Sequence, residues 1–565
     1  MFRLSRLQLN HLLLLLSHAT LLLASEPLAS RQDDDGFVDF DWSSIEGQDE
    51  IVWTDCYQPL RHHCARLNLP MNWADPDDPA RVTLAILRIP AKNTTDYKGP
   101  VFFNPGGPGL RTIDSPGIRQ QWFPFNLQDF VGDNHDIILW DARGVSLSVP
   151  RVDCFSSQRA RDLWQYTFEQ TDLPDVHGGL KRVVAMARAL SARCEQVLGD
   201  SGILQHVSTA DSAMDINAIL EKLDYPTLKF WGKVERLLSE ANIDYKNKWN
   251  DSNLDADKAL RTFYEQCADA GPEHCALHER DADAVERRLN KILRRLEEEP
   301  VFDQSLVSSL SGQPPQIFTA SWVRRILHWD MYAPMFQWQD LAETLRHLEA
   351  GTSELVDPFS WGLPDSQMHC SMPEDHVSFD EQLSEENAEV SASTICADYG
   401  QASRTVEEYL EFQERYMRNS KIMGTAHIEV VLTPCIGRTL EPKTPFKGPL
   451  GGNTSHPVLF LNTRYDPTTP LSAAMNNSLL FPGSAVLKYN ITGHVITAVP
   501  SINSCIETAI FDYFEDGTLP RPGTVCEPQV PNMFLQFVHD MDDERAGNQK
   551  RRLEYKGASQ DVRRL

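Results

Sequence analysis

The chain is 565 residues long, 41% hydrophobic and 24% charged, with 35 prolines and 30 glycines. Its formal net charge of −27 argues against nucleic acid or an anionic membrane as a partner. This length buries a large core, as about three or four domains or as one α/β domain with a long insert.

Residues 1–25 have the layout of a secretory signal peptide. Arg3 and Arg6 supply a basic start, Leu12–Leu16 and Leu21–Ala24 an apolar core, and Ala24-Ser25 or Ala29-Ser30 a cleavage point. The apolar run, broken by Ser17 and His18, is short for a membrane span, and no other stretch is apolar enough to cross a bilayer. The expected destination is extracellular, with no membrane contact after cleavage. Residues 26–50 are expected to form a solvated acidic leader.

Eleven cysteines contain no Cys-x-x-Cys pair, which argues against a zinc or thioredoxin-like centre; no metal and no cofactor are expected. Disulfides are the better account in an oxidising compartment. Local pairs Cys56–Cys64, Cys267–Cys275 and Cys505–Cys526 are expected, with Cys370 as the thiol left over. Asn93, Asn250, Asn453, Asn476 and Asn490 head sequons that could carry glycans.

Strand signals come early. Val82–Pro90 reads as a strand, and Pro100–Phe103 is a short apolar run that enters Asn104-Pro-Gly-Gly-Pro-Gly109. A loop this rich in glycine lets the backbone approach a ligand and aim N–H groups at it. Asp136–Trp140 is another buried strand, running into Asp141-Ala-Arg-Gly144. Residues 178–197 and 208–223 have helical periodicity, and Leu228–Gly232 is a third short strand. From 245 to 430 charge-laced helical segments dominate, with Trp322, Trp329, Trp338 and Trp361 expected mostly in packing. The strand pattern returns at Pro457–Thr463 and Ala485–Tyr489, followed by Asp466 and His494 respectively. A helix is expected around Cys505–Phe514, and residues 536–565 read as a disordered tail.

Asp466 and His494 each sit just past a buried strand, 28 residues apart (494 − 466) and in the order acid then base. In α/β-hydrolases that order brings both groups to the nucleophile at the C-terminal edge of a sheet. The carboxylate orients the imidazole, and the imidazole relays the nucleophile's proton.

These stretches, with Ser208–Asp215 and Gly517–Cys526, make the chain resemble secreted tripeptidyl aminopeptidase-like serine peptidases of the proline iminopeptidase family. The resemblance spans roughly residues 50–530. It implies an α/β-hydrolase fold, a mostly parallel sheet with an inserted helical lid. The implied division is a first core half at 51–244, a lid at 245–430 and a second core half at 431–535. It also implies removal of residues from peptide N-termini, with the lid recognising the free amine. Asp466 and His494 would be catalytic, and Gly106 and Gly107 would form the oxyanion loop.

Three departures stand out. Leu110-Arg111-Thr112 replaces the family's Gly-Ser-Gly, and Ser146 replaces the second glycine of Asp-x-Arg-Gly-x-Gly. The third concerns the nucleophile. After Trp231-Gly232 the family continues as Gly-x-Ser-x-Gly, the elbow that presents the attacking serine. Here Lys233-Val-Glu-Arg-Leu-Leu follows, and no Gly-x-Ser-x-Gly occurs anywhere in the chain. Lys233–Asp244 resembles what lies beyond the elbow helix, so roughly 15–20 residues are missing at the junction. Loss of that helix is expected to uncover the middle of the sheet, with Val234, Leu237 and Leu238 available for a substitute helical turn. Two functional readings follow: a family exopeptidase whose recorded sequence has lost its nucleophile segment, for instance through a misread exon, or a catalytically inactive relative binding a peptide or partner through the lid cleft. An esterase on the same fold fits the C-terminal motifs less well.

Overall fold

In the computed structural model the described residues are 37–535, apart from 114, 121–125, 177, 233–235, 303–316, 353–387, 400–404, 432 and 495–502. The signal, Cys370, Trp361 and the tail lie outside them. Apolar runs with no polar alternation demand cover on both faces, and the chain meets that demand with one ten-stranded sheet. Its strands are β1 (Thr54–Cys56), β2 (His62–Pro70), β3 (Arg81–Ile89), β4 (Val101–Phe103), β5 (Ile137–Trp140), β6 (Lys229–Trp231) and β7 (Arg236–Ser239). A separate hairpin, β8 (Val301–Phe302) with β9 (Ile317–Phe318), precedes β10 (Leu459–Tyr465), β11 (Ala485–Thr492) and β12 (Val525–Cys526). The order is β1-β2-β3-β5-β4-β6-β7-β10-β11-β12. The β1-β2, β2-β3 and β3-β5 pairs are antiparallel. From β5 to β12 every pair is parallel.

Side chains alternate between the two faces. Phe102, Ile138, Phe230, Leu237 and Phe460 pack with Ile216, Ile219 and Leu220 of the Thr209–Lys222 helix. Phe103, Leu139, Trp231, Leu238 and Leu461 join the opposite core with Ile510 and Phe514 of the Ser504–Asp516 helix. Between β7 and β10 lies a helical insert that includes Ala256–Ala270, Ala282–Glu298, Ala320–Asp330, Pro334–Ala350, Ala388–Tyr399, Val406–Asn419 and Gly424–Val431. This is the architecture of an α/β-hydrolase.

One connection is anomalous. β6 and β7 are parallel neighbours, Lys229 paired with Arg236 and Trp231 with Leu238, yet only residues 232–235 lie between them. A parallel crossover ordinarily takes a dozen or more residues, usually as a helix. The next parallel connection, β10 to β11, follows that rule with the Leu471–Ser478 helix.

Three expectations need correction. Leu237 and Leu238 are strand, not a helical turn, and Val234 lies outside the described residues. The sheet at this point is not uncovered: Phe230 and Leu237 are 4% and 5% exposed, because the Thr209–Lys222 helix and residues such as Val458 and Ala474 share their cluster. The acidic leader is not wholly solvated either, since Phe37 and Trp42 are buried and the Trp42 indole donates to the Tyr57 hydroxyl.

Among the described residues five disulfides are present: Cys56–Cys64, Cys154–Cys194, Cys267–Cys275, Cys396–Cys435 and Cys505–Cys526. All three expected local pairs are among them. The Asp141-Ala-Arg-Gly144 motif is a structural lock. Arg143 is fully buried, forks onto Asp215, and donates to the carbonyls of Met71 and His206. It thereby ties the end of β2 and the turn after β5 to the Thr209–Lys222 helix. Arg143→Ala would strand the Asp215 carboxylate without its cation in a dry site. Denaturant melts should show a loss of about 3–5 kcal/mol.

Candidate active site

Every parallel strand ends on the same edge of the sheet, where ligands of open α/β sheets gather. β10 leads into Asp466-Pro-Thr-Thr, a tight turn that folds its own donors back on the acid. The backbone N–H groups of Thr468 and Thr469 donate to Asp466 Oδ1 at 2.9 and 2.7 Å, and the Thr469 hydroxyl donates to Oδ2 at 2.8 Å. Asp466 is 1% exposed, so these donors replace the water it has lost. β11 then delivers His494, whose Nδ1 lies 3.0 Å from both carboxylate oxygens. An Nδ1–H facing a carboxylate leaves Nε2 as the lone-pair nitrogen that can take a proton. The structure thus brings Asp466 and His494 into one hydrogen-bonded pair.

Gly106 and Gly107 sit past β4 with φ of 88° and 102°, backbone that a side chain would strain, and both are exposed. Their N–H groups are not equivalent. Gly106 donates to the Asn104 side chain at 2.9 Å, whereas nothing among the described residues accepts from Gly107. The Asn104 N–H meets the Trp231 carbonyl at 3.4 Å, so the loop lies against the end of β6, beside Gly232. The loop is steadied behind by Asp141, fully buried, which accepts from the N–H groups of Thr112, Ile113 and Leu147. Burial raises the Asp141 carboxyl to about 6, against the pull of those donors. From the insert, the Ser391 hydroxyl donates to the Pro108 carbonyl at 2.5 Å, fixing the loop from above.

Several neighbours of the pair carried no sequence signal. Tyr332, in the turn after the Ala320–Asp330 helix, accepts the His494 N–H on its carbonyl at 2.8 Å, and its ring centroid lies 4.7 Å from the imidazole. His328 and His427 are buried nearby, ring centroids 4.8 Å apart. Burial lowers the His328 imidazole to about 3, with His494 adding to the effect. Burial likewise holds His427 well below the usual range, followed by His328 and His494. Only their aromatic spacing within helices could have flagged them, and that pattern is common to core histidines.

The sequence is similar to several known hydrolases. Residues 420–526, which include Asp466 and His494, match the TAP-like protein family of α/β-hydrolases. Carboxylesterase B of Mycobacterium tuberculosis is 23% identical over 90% of this chain and 95% of its own length. Serine protease Hip1 of the same species is 24% identical over 84% of this chain and 91% of its own. The putative hydrolase YuaR of Escherichia coli is 24% identical over 82% and 88%. A solved serine hydrolase from Cycloclasticus zankles is 10% identical, covers 80% of this chain and 98% of its own, and superposes with a TM-score of 0.23. The chain is similar to α/β-hydrolase serine hydrolases.

The buried histidines set an acid limit on stability. A histidine held neutral by the fold binds fewer protons than in the unfolded chain, so stability is full above about pH 6.5 and falls as pH drops toward the folded value. His328 Nδ1 has no hydrogen-bond partner among the described residues, so His328→Phe sacrifices no bond to them there. Denaturant titrations should show the acid slope of the variant shallower by about one proton, roughly 1.4 kcal/mol per pH unit, between pH 6 and 4.

Proposed function

We propose that this chain carries the scaffold, oxyanion loop and acid–base pair of a secreted serine exopeptidase but lacks its nucleophile, and so does not hydrolyse peptides as it stands. The observation that carries this reading is the β6–β7 connection. A nucleophile elbow and its helix belong after the strand beside the oxyanion loop. β6 is that strand, and four residues, 232–235, return the chain to β7. In the complete machinery Asp466 would hold the His494 tautomer and stabilise the imidazolium, and His494 Nε2 would take the nucleophile's proton. The Gly107 N–H would face the developing oxyanion. Without an attacking oxygen these groups have nothing to activate. Removal of the serine alone costs a serine peptidase on the order of a million-fold in kcat.

The peptide N-terminus as substrate rests on the tripeptidyl aminopeptidase-like resemblance and on the TAP-like match to residues 420–526. An ester is the second reading, favoured by the alignment with Carboxylesterase B over 90% of this chain. Secretion is supported by the signal-like start and by disulfides that engage ten of the eleven cysteines. In that setting Asn93 and Asn453 are exposed and open to a glycan, whereas Asn250 is committed to the Tyr399 hydroxyl.

The purified chain should show no turnover of aminoacyl or tripeptidyl amides above a buffer blank. Inserting a Gly-x-Ser-x-Gly elbow with its helix, roughly 15–20 residues, between Gly232 and Lys233 should create turnover that Asp466→Asn or His494→Gln reduces at least about a thousandfold. Matched ester substrates in the same assay separate the two substrate readings. Robust hydrolysis by the chain without the insertion overturns the proposal.

A further inference from the structure

Tyr332 belongs to the helical insert, yet it grips the Asp466–His494 pair at three separate points. Its carbonyl holds the His494 backbone N–H at 2.8 Å. Its ring leans on the imidazole at a 4.7 Å centroid distance and 60°. Its hydroxyl lies 2.7 Å from Thr468 Oγ1, and the Thr468 N–H is one of the donors to Asp466. Main-chain packing reinforces the grip, because a Cβ on Gly493 would lie 3.1 Å from the Tyr332 carbonyl oxygen and 3.0 Å from Pro334. The φ of Gly493, 134°, is open to glycine and would strain any residue with a side chain at this close approach.

The hydroxyl contact continues into a buried relay. Thr468 Oγ1 lies 3.2 Å from His427 Nδ1, and His427 Nε2 lies 2.9 Å from Ser252 Oγ. Ser252 Oγ lies 2.8 Å from the Tyr416 hydroxyl, which donates to the Trp249 carbonyl. One proton arrangement satisfies every member. Tyr332 donates to Thr468, Thr468 to His427 Nδ1, His427 Nε2–H to Ser252, Ser252 to Tyr416, and Tyr416 to Trp249. That direction requires a neutral His427, as its full burial also does. The ionisable groups around it are His328, His494 and Tyr416, together with Asp466 beyond Thr468.

We propose that Tyr332 is a positioning residue through which the helical insert fixes the orientation of His494 and the Asp466 turn. Docking of the insert and assembly of the pair are then one event. An insert displaced at Tyr332 frees the His494 backbone, removes the ring that leans on its imidazole and loosens the turn that holds the carboxylate. The inference rests on reading Asp466 and His494 as the acid–base pair, and it holds with or without a nucleophile.

The test follows the His494 Nδ1 proton in the full chain, prepared with isotopically labelled histidine. A proton shared with a buried carboxylate gives a low-field resonance, assigned by its loss in His494→Gln, and its exchange with water reports how tightly the pair is held. Tyr332→Phe keeps ring and carbonyl but drops the Thr468 bond, and exchange should accelerate about fivefold. Tyr332→Ala should accelerate it roughly tenfold or more. Trp329→Phe, which packs on Tyr332 at 5.1 Å from the same part of the insert, should exchange at the unmodified rate. Unchanged exchange in both Tyr332 variants overturns the proposal, as does equal acceleration in Trp329→Phe, which would mean general loosening of the insert. Tyr332→Phe alone decides if Tyr332→Ala fails to fold. If Asp466→Asn leaves the resonance and its exchange untouched, the acid–base reading itself is wrong.

Discussion

A parallel sheet obliges the chain to return to its starting edge before each new strand, and in this fold the return path is where the chemistry sits. Departures from the C-terminal edge supply the loops that build the site. Asn104–Gly109 follows β4, Asp141–Ser148 follows β5, Asp466–Thr469 follows β10, and Gly493-His494 follows β11. The departure after β6 is the exception. Only residues 232–235 separate β6 from β7 in the sequence, and Gly232 follows β6 beside the glycine loop. Parallel pairing of β6 and β7 is retained, and so is the burial of Phe230 and Leu237. The sheet therefore keeps its core across this short connection.

Buried hydrogen bonds hold the acid–base pair and the loop beside it. Asp466 gives up its water for three hydrogen-bond donors within its own turn and for the imidazole of His494. Asp141 does the same for the loop beside it, and Arg143 locks the turn that carries Asp141 to the rest of the domain. These buried charges are costly unless every partner is in place, which makes them rigid supports. The helical insert takes part in that rigidity. Ser391 holds the glycine loop and Tyr332 holds the pair, so the insert bears on both parts of the site.

Much of this was legible in the sequence because strand ends and their punctuation are local signals. Asp466 and His494 follow short, largely apolar runs bounded by turn residues, and the glycine loop announces itself. The three close disulfides were legible for the same reason, since each joins cysteines near in sequence. Cys154–Cys194 and Cys396–Cys435 were not, because pairing across 40 and 39 residues depends on where helices pack. Tyr332, His328 and His427 were also invisible. They act on residues more than 40 positions away, and nothing local distinguishes them from ordinary core aromatics. Leu237 and Leu238 misled for a related reason: an apolar pair with polar neighbours fits one turn of helix or two residues of strand. The sheet order settled it, since β10 needed a partner beside it and Leu459 found Leu238.

The most direct measurement is the intact mass of the purified chain after exposure to excess fluorophosphonate, which bonds irreversibly to an activated serine oxygen. The account predicts no adduct, with Asp466 and His494 both present and the fold confirmed by its melting transition. A single stoichiometric adduct, abolished by His494→Gln, would show an activated serine in this chain and contradict it.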